Sequence, residues 1–140
     1  MATRSMIGMV QPDGNTIKAV YCHWDGYPAY VGNLLKYHYN SEDEVVALLD
    51  CGDISSLGDT VSSTKFIGGY NCLNNGEISE VDSAAQLFTC INEAYDYYES
   101  MWCEWFYKYD DGIWWARNRD TGWRSLAGVL EDVREESNES

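Results

Sequence analysis

Trp102-Cys103-Glu104-Trp105-Phe106-Tyr107-Lys108-Tyr109-Asp110-Asp111-Gly112-Ile113-Trp114-Trp115-Ala116-Arg117-Asn118-Arg119 is the stretch that decides the fold class. Asp111-Gly112 lies between two aromatic runs, and Asp-Gly is a strong two-residue hairpin signal because it tolerates positive φ at both central positions. With that pair as the loop, Tyr109 faces Trp114 and Tyr107 faces Ala116. Strand side chains alternate, so Cys103, Trp105, Tyr107, Tyr109, Trp114 and Ala116 share one apolar face. The opposite face then carries Trp102, Glu104, Phe106, Lys108, Trp115, Arg117 and Arg119. On it Glu104 opposes Arg119, Phe106 opposes Arg117 and Lys108 opposes Trp115, giving an ion pair and two cation–π pairs suited to a half-exposed sheet face.

A second hairpin opens the chain. Met6–Val10 and Ile17–Trp24 read as strands joined by the turn Pro12-Asp13-Gly14-Asn15. After Pro28, Tyr30, Val31, Leu34, Leu35 and His38 recur at helical spacing, with His38 expected half-buried between Tyr37 and Tyr39. Ser41-Glu42-Asp43-Glu44 has the form of a capping box, with Gly52 closing the helix that buries Val45, Val46, Leu48 and Leu49. Residues 53–82 are rich in Gly and Asn and suggest only short strands at Thr64–Ile67 and Tyr70–Leu73. Ser83-Ala84-Ala85-Gln86 reads as a further capping box, before a four-turn helix lined by Leu87, Ile91, Ala94, Tyr95 and Tyr98. A last helix is expected from Trp123 or Ser125 towards Arg134.

These elements predict a single α+β domain over residues 1–134. Its sheet is expected to be antiparallel, built from two hairpins, with three to four helices mainly on one face and partly exposed aromatics on the other. Residues 135–140 are expected to be a flexible acidic tail.

The net charge is -14, from 23 acidic and 9 basic residues. Such a chain is repelled by nucleic-acid phosphates and anionic membranes, so neither is an expected partner. The charge suits solubility first, and also suits docking on a basic surface of another protein. The start of the chain has one Arg and no apolar run, so no leader peptide is expected. Five scattered cysteines without C-x-x-C read as reduced, mostly buried thiols of a cytosolic protein. No phosphate loop, dinucleotide fingerprint, nucleophile elbow or zinc-protease motif occurs, and no cofactor or metal is expected.

Tyr21-Cys22-His23-Trp24-Asp25-Gly26-Tyr27-Pro28 holds a mixture of residue types that fold alone seldom requires. Together with Thr3-Arg4-Ser5-Met6-Ile7-Gly8 it resembles the TRSxIG and YCHWDGYP motifs of a family of small proteins of tailed phages and prophages. The resemblance covers about residues 3–57, through Gly52-Asp53-Ile54-Ser55-Ser56-Leu57-Gly58, and the C-terminal aromatic hairpin is also similar. A YHRDRGE-like segment of many relatives is replaced here by Phe66-Ile67-Gly68-Gly69-Tyr70. The resemblance implies a phage accessory protein made in the host cytoplasm; it does not imply an enzymatic activity.

His23 and Asp25, two apart, are the weak catalytic candidates, as an acid–base pair with Cys22 as a neighbouring nucleophile. Against this, Cys22 and His23 point to opposite faces of a strand, and Asp25-Gly26 is a natural turn in which Gly26 is expected at positive φ. Arg4 is read as an anion site or as a partner of Asp25. Six Trp and eleven Tyr exceed what a core of this size buries, so Trp24, Tyr27 and Tyr30 on one side and Trp102 and Trp115 on the other are expected to be partly exposed as a binding surface. The leading expectation is a non-enzymatic protein that binds a host protein, one with a basic or nucleic-acid-binding surface, through Arg4, His23, Trp24, Asp25, Tyr27, Tyr30, Trp102, Trp115 and Arg117. The alternative is a small enzyme or sequestering protein with a pocket at His23, Trp24, Asp25 and Tyr27, with Arg4 or Arg117 holding an anionic group. A third is a minor virion component.

Overall fold

The computed structural model describes residues 3–67 and 85–138, with side chains described as far as Arg134. In chain order the elements are β1 (Ser5–Val10), β2 (Ile17–Cys22), a π-helical turn (Pro28–Gly32), α1 (Asn33–His38), α2 (Glu42–Asp50), β3 (Ile54–Ser56), β4 (Lys65–Phe66), β5 (Gln86–Phe88), α3 (Ile91–Ser100), β6 (Trp105–Asp110), β7 (Ile113–Arg117), β8 (Arg124–Ser125) and α4 (Leu126–Asn138). They form an α+β domain around one sheet, ordered β4-β3-β2-β1-β6-β7-β8, with β5 also on β2.

Both predicted hairpins form. β6 and β7 pair with Tyr109 opposite Trp114, Tyr107 opposite Ala116, Phe106 opposite Arg117 and Lys108 opposite Trp115. Asp111 and Gly112 make the turn with φ of 50° and 81°. The sheet as a whole is mixed rather than antiparallel, because β1 runs parallel to β6 and β2 parallel to β3. The physical reason is the first strand. Ser5-Met6-Ile7-Gly8-Met9 is buried on both faces, a pattern that belongs in the middle of a sheet. β1 therefore needs a neighbour on its second edge, and β6 supplies it.

Four of the helical segments cover one face. Ile7, Val20, Tyr107 and Ala116 pack there against Val31, Leu35, Leu48, Leu49, Leu126 and Val129. The other face is closed, not half-exposed: Met6, Ala19, Tyr21 and Phe106 are buried beneath Ala94 and Tyr98 of α3, with Trp123 packed against them. Cys103 also belongs to this second core, opposite to its expected face, because β6 begins only at Trp105 and the residues before it leave the strand alternation. The expected cation–π pairs are replaced. Lys108 stands over Trp123 at 4.4 Å, and Arg117 over Tyr95 at 4.2 Å. The ion pairs among the described residues are Lys18–Asp50 and Arg124–Asp132, so Glu104–Arg119 and Arg4–Asp25 do not form.

Ser41 caps α2 by accepting the Glu44 amide at 3.3 Å, and Glu44 answers through its carboxylate on the Ser41 hydroxyl. Gly52 closes this helix at φ 90°. The second expected capping box does not work that way. Ser83 and Ala84 lie outside the described residues, and Gln86–Phe88 pairs instead with Ala19, Lys18 and Ile17 of β2. Leu87 is consequently exposed on that strand and α3 starts only at Ile91. The expected strand at Tyr70–Leu73 lies outside the described residues. At the other end α4 runs to Asn138, past the expected limit at Arg134 and into the acidic tail. Cys51 is disulfide-bonded, against the expectation of reduced thiols throughout, whereas Cys22, Cys90 and Cys103 are free. No helix among the described residues is long and apolar enough to cross a membrane.

Candidate functional site

Some of the sequence candidates, Arg4, Trp24, Tyr27 and Trp102 among them, gather at one end of the sheet, where β1 enters. Ser5 of β1 lies between Cys22 of β2 and Trp105 of β6. The segments just outside those strands, His23–Tyr27 and Trp102–Glu104, therefore flank Thr3 and Arg4. Backbone bonds fix them there: the Gly26 amide donates to Thr3 O at 2.8 Å, and the Glu104 amide donates to Arg4 O at 2.8 Å. His23 and Trp24 donate to Ile54 O and Ser55 O, which extends β2 past Cys22 and projects the turn beyond the sheet. The buried Tyr107 hydroxyl closes the arrangement by donating to Gly26 O at 2.6 Å.

The turn differs from the expected one. Asp25, not Gly26, takes the left-handed conformation, at φ 57°. Gly26 is required for space: a Cβ there would lie 2.6 Å from Ser5 Oγ and 2.7 Å from both Ser5 Cβ and Thr3 O. Close approach of the turn to the first strand turns Trp24 and Tyr27 outward, 46% and 41% exposed.

Trp102 reaches the surface by another route. α3 ends with Trp102 N–H on Glu99 O at 3.1 Å and Cys103 N–H on Tyr98 O at 3.1 Å. That is the paired bond pattern of a Schellman cap, whose left-handed residue is usually Gly or occasionally Asn. Here it is Trp102, at φ 61° and 70% exposed. An L-residue pays about 1–2 kcal/mol for this conformation, and a ring this exposed returns little of it through packing.

The remaining candidates divide. His23 shares a 2.7 Å hydrogen bond between Nδ1 and the Tyr21 hydroxyl and meets the Trp24 ring edge-on at 4.6 Å. Cys22 faces the opposite core; burial pushes its thiol up to about 12. Burial thus favours the neutral thiol, and Cys22 lies across the sheet from the Tyr21–His23 contact. Arg4 acts on Tyr21 and Cys103, where its charge opposes the upward push of burial. Tyr30 is structural, its hydroxyl donating to Leu57 O at 2.8 Å. Trp115 and Arg117 lie on the α3 side of the sheet, half-buried, away from the turn. His38 is exposed at the end of α1 rather than held between tyrosines.

The expected pocket around His23, Trp24, Asp25 and Tyr27 is not what forms. A cleft of about 400 Å³ opens beside the turn and takes in Tyr27, but its other walls include Glu104, Trp105, Asn118, Arg119 and Asp120. Sequence reasoning placed Trp105 in the core and missed Asn118 and Asp120. Only the fold, through the parallel β1–β6 pair, brings residues 3, 27, 104 and 119 together. Asp53 was missed as well. Its carboxylate accepts the Tyr21 amide at 2.9 Å, and burial raises its pKa to about 6. The cleft presents rings, the exposed carboxylates of Glu104 and Asp120 and the guanidinium of Arg119. No protein-family model, curated protein or solved structure matches this chain.

Proposed function

We propose that this chain is a non-enzymatic phage accessory protein that acts in the host cytoplasm by binding a host protein through the aromatic end of its sheet. The observation that carries the reading is Trp102. A large ring stands 70% exposed at a helix-capping position in left-handed conformation, where Gly would satisfy the same hydrogen bonds without strain. Strain of this kind is retained when the side chain does something outside the fold, and Trp is the residue type most enriched at binding hot spots. Trp24 and Tyr27 extend the surface. The net charge of -14 favours a basic partner, such as the nucleic-acid-binding face of a host protein, and speeds the encounter at low salt.

Capture from host lysate on the immobilised protein tests this. A partner should be retained at low salt, retained less at high salt, and lost when Trp24→Ser and Trp102→Asn are combined. Equal retention by the double variant, or no retention at either salt, contradicts the reading. One observation favours the small-ligand alternative: the cleft at Tyr27 has the volume of a small-molecule site. For that reading Arg119→Ala should weaken binding of a small anionic ligand, since Arg119 lines the cleft and His23 does not.

A further inference from the structure

We infer that the cleft beside Tyr27 receives one basic side chain, Arg or Lys, from the protein partner, as the anchor of the docked surface. This rests on the protein-binding reading above and names what the partner brings. Four observations carry it. The cleft opens at the same end of the sheet as the exposed aromatics, and Tyr27 belongs to both. Its two carboxylates, Glu104 and Asp120, are exposed and take part in no ion pair among the described residues. Its own cation is engaged elsewhere: Arg119 Nε donates to Cys103 O at 3.3 Å, and the guanidinium lies 6.0 Å from the Tyr98 ring. Trp105 is stacked on Tyr107 at 13°, with centroids 6.2 Å apart, so its ring is oriented before any ligand arrives.

Two carboxylates and one guanidinium leave the cleft with a formal charge of -1, within a chain of net -14. An anionic ligand meets repulsion from the whole molecule. An uncharged apolar group would strip water from both carboxylates and give nothing back. A guanidinium or ammonium group satisfies the carboxylates and gains from the neighbouring rings of Tyr27 and Trp105, since aromatic rings attract cations.

The test uses the full chain, isotope-labelled, and watches the Trp105 indole and Asn118 amide signals by NMR. The probes are N-acetylarginine N-methylamide and its uncharged counterpart N-acetylnorleucine N-methylamide. The arginine probe should shift those signals saturably and the norleucine probe should not. Glu104→Gln with Asp120→Asn should weaken the arginine probe about tenfold while leaving the melting temperature unchanged, since both side chains are exposed. Equal affinity in that double variant, or shifts scattered over the acidic surface without preference for the cleft, overturns the inference. Capture of the partner separates the two levels. Loss by both this variant and Trp102→Asn supports the anchor. Loss by Trp102→Asn alone overturns the anchor and leaves the aromatic surface standing, and loss by neither overturns both.

Discussion

The dipeptide Asp-Gly occurs at Asp13-Gly14, Asp25-Gly26 and Asp111-Gly112, and the last two need their glycine for different reasons. At Asp111-Gly112 both residues have positive φ, and a Cβ on Gly112 would meet nothing within 4 Å. Its backbone conformation alone selects glycine, and the turn does no more than join two strands. At Asp25-Gly26 only Asp25 is left-handed, and Gly26 is pressed against Ser5 and Thr3 O. There the need is for space, and the close approach is what turns Trp24 and Tyr27 to the surface. One dipeptide thus marks a turn in both places, but only the packing distinguishes a connector from a presenting element.

Substitutions at the two glycines separate these cases. Gly26→Ala should cost the most, about 2–3 kcal/mol, because the methyl group overlaps backbone as well as side chain. Chemical denaturation reads the loss, and adding Ser5→Gly should return part of it by removing two of the three clashing atoms. Gly112→Ala should cost less, about 1–2 kcal/mol, the ordinary penalty of a left-handed L-residue, and Ser5→Gly should not relieve it. If the two alanine variants lose stability equally and Ser5→Gly rescues neither, the packing account of Gly26 is wrong.

Trp102→Gly should change stability in the opposite direction. Relief of about 1–2 kcal/mol of backbone strain, reduced by the roughly 0.5–1 kcal/mol of extra unfolded-chain freedom that glycine brings, leaves a small gain visible in a thermal melt. A pH-dependent effect concerns the strand that carries the presenting turn. Asp53 has its folded pKa raised from 3.8 to about 6. The fold therefore favours the protonated carboxyl, and stability falls as pH rises from 3.8 through 6. Asp53→Asn keeps an oxygen for the Tyr21 amide and cannot ionise. It should melt above the parent at pH 7, and the difference should shrink below the ordinary carboxylate pKa; a difference independent of pH would show that burial of the charge is not the cause.

Those parts of the fold that rest on local chemistry were legible in the sequence. Asp111-Gly112 with strict alternation on either side gave the register of β6 against β7, and Ser41 with Glu44 gave the start of α2. Long-range pairings were not legible. Nothing near Ser5 or Trp105 signals that they lie side by side in parallel, and this pairing makes the sheet mixed and assembles the cleft. Gln86–Phe88 followed a good capping pattern, yet the open edge of β2 beside Ile17–Ala19 claimed it as a strand. The cations Lys108 and Arg117 were rightly placed on one face, but their rings come from Trp123 and Tyr95, on segments whose approach depends on tertiary packing. Of the candidate site, Arg4, Trp24, Tyr27 and Trp102 gather at one sheet end. Trp115 and Arg117 were drawn to another face by strand alternation, and Tyr30 was taken up by the core through its hydroxyl.

Trp102→Asn tests the central claim most directly, because Asn accepts the left-handed cap without the ring. Its thermal melt and its retention of the host partner should be measured on the same preparation. The account predicts a protein at least as stable as the parent that no longer retains the partner. A protein that melts well below the parent would show that the ring serves the fold, and one that retains the partner fully would show that the exposed aromatic end is not the binding surface.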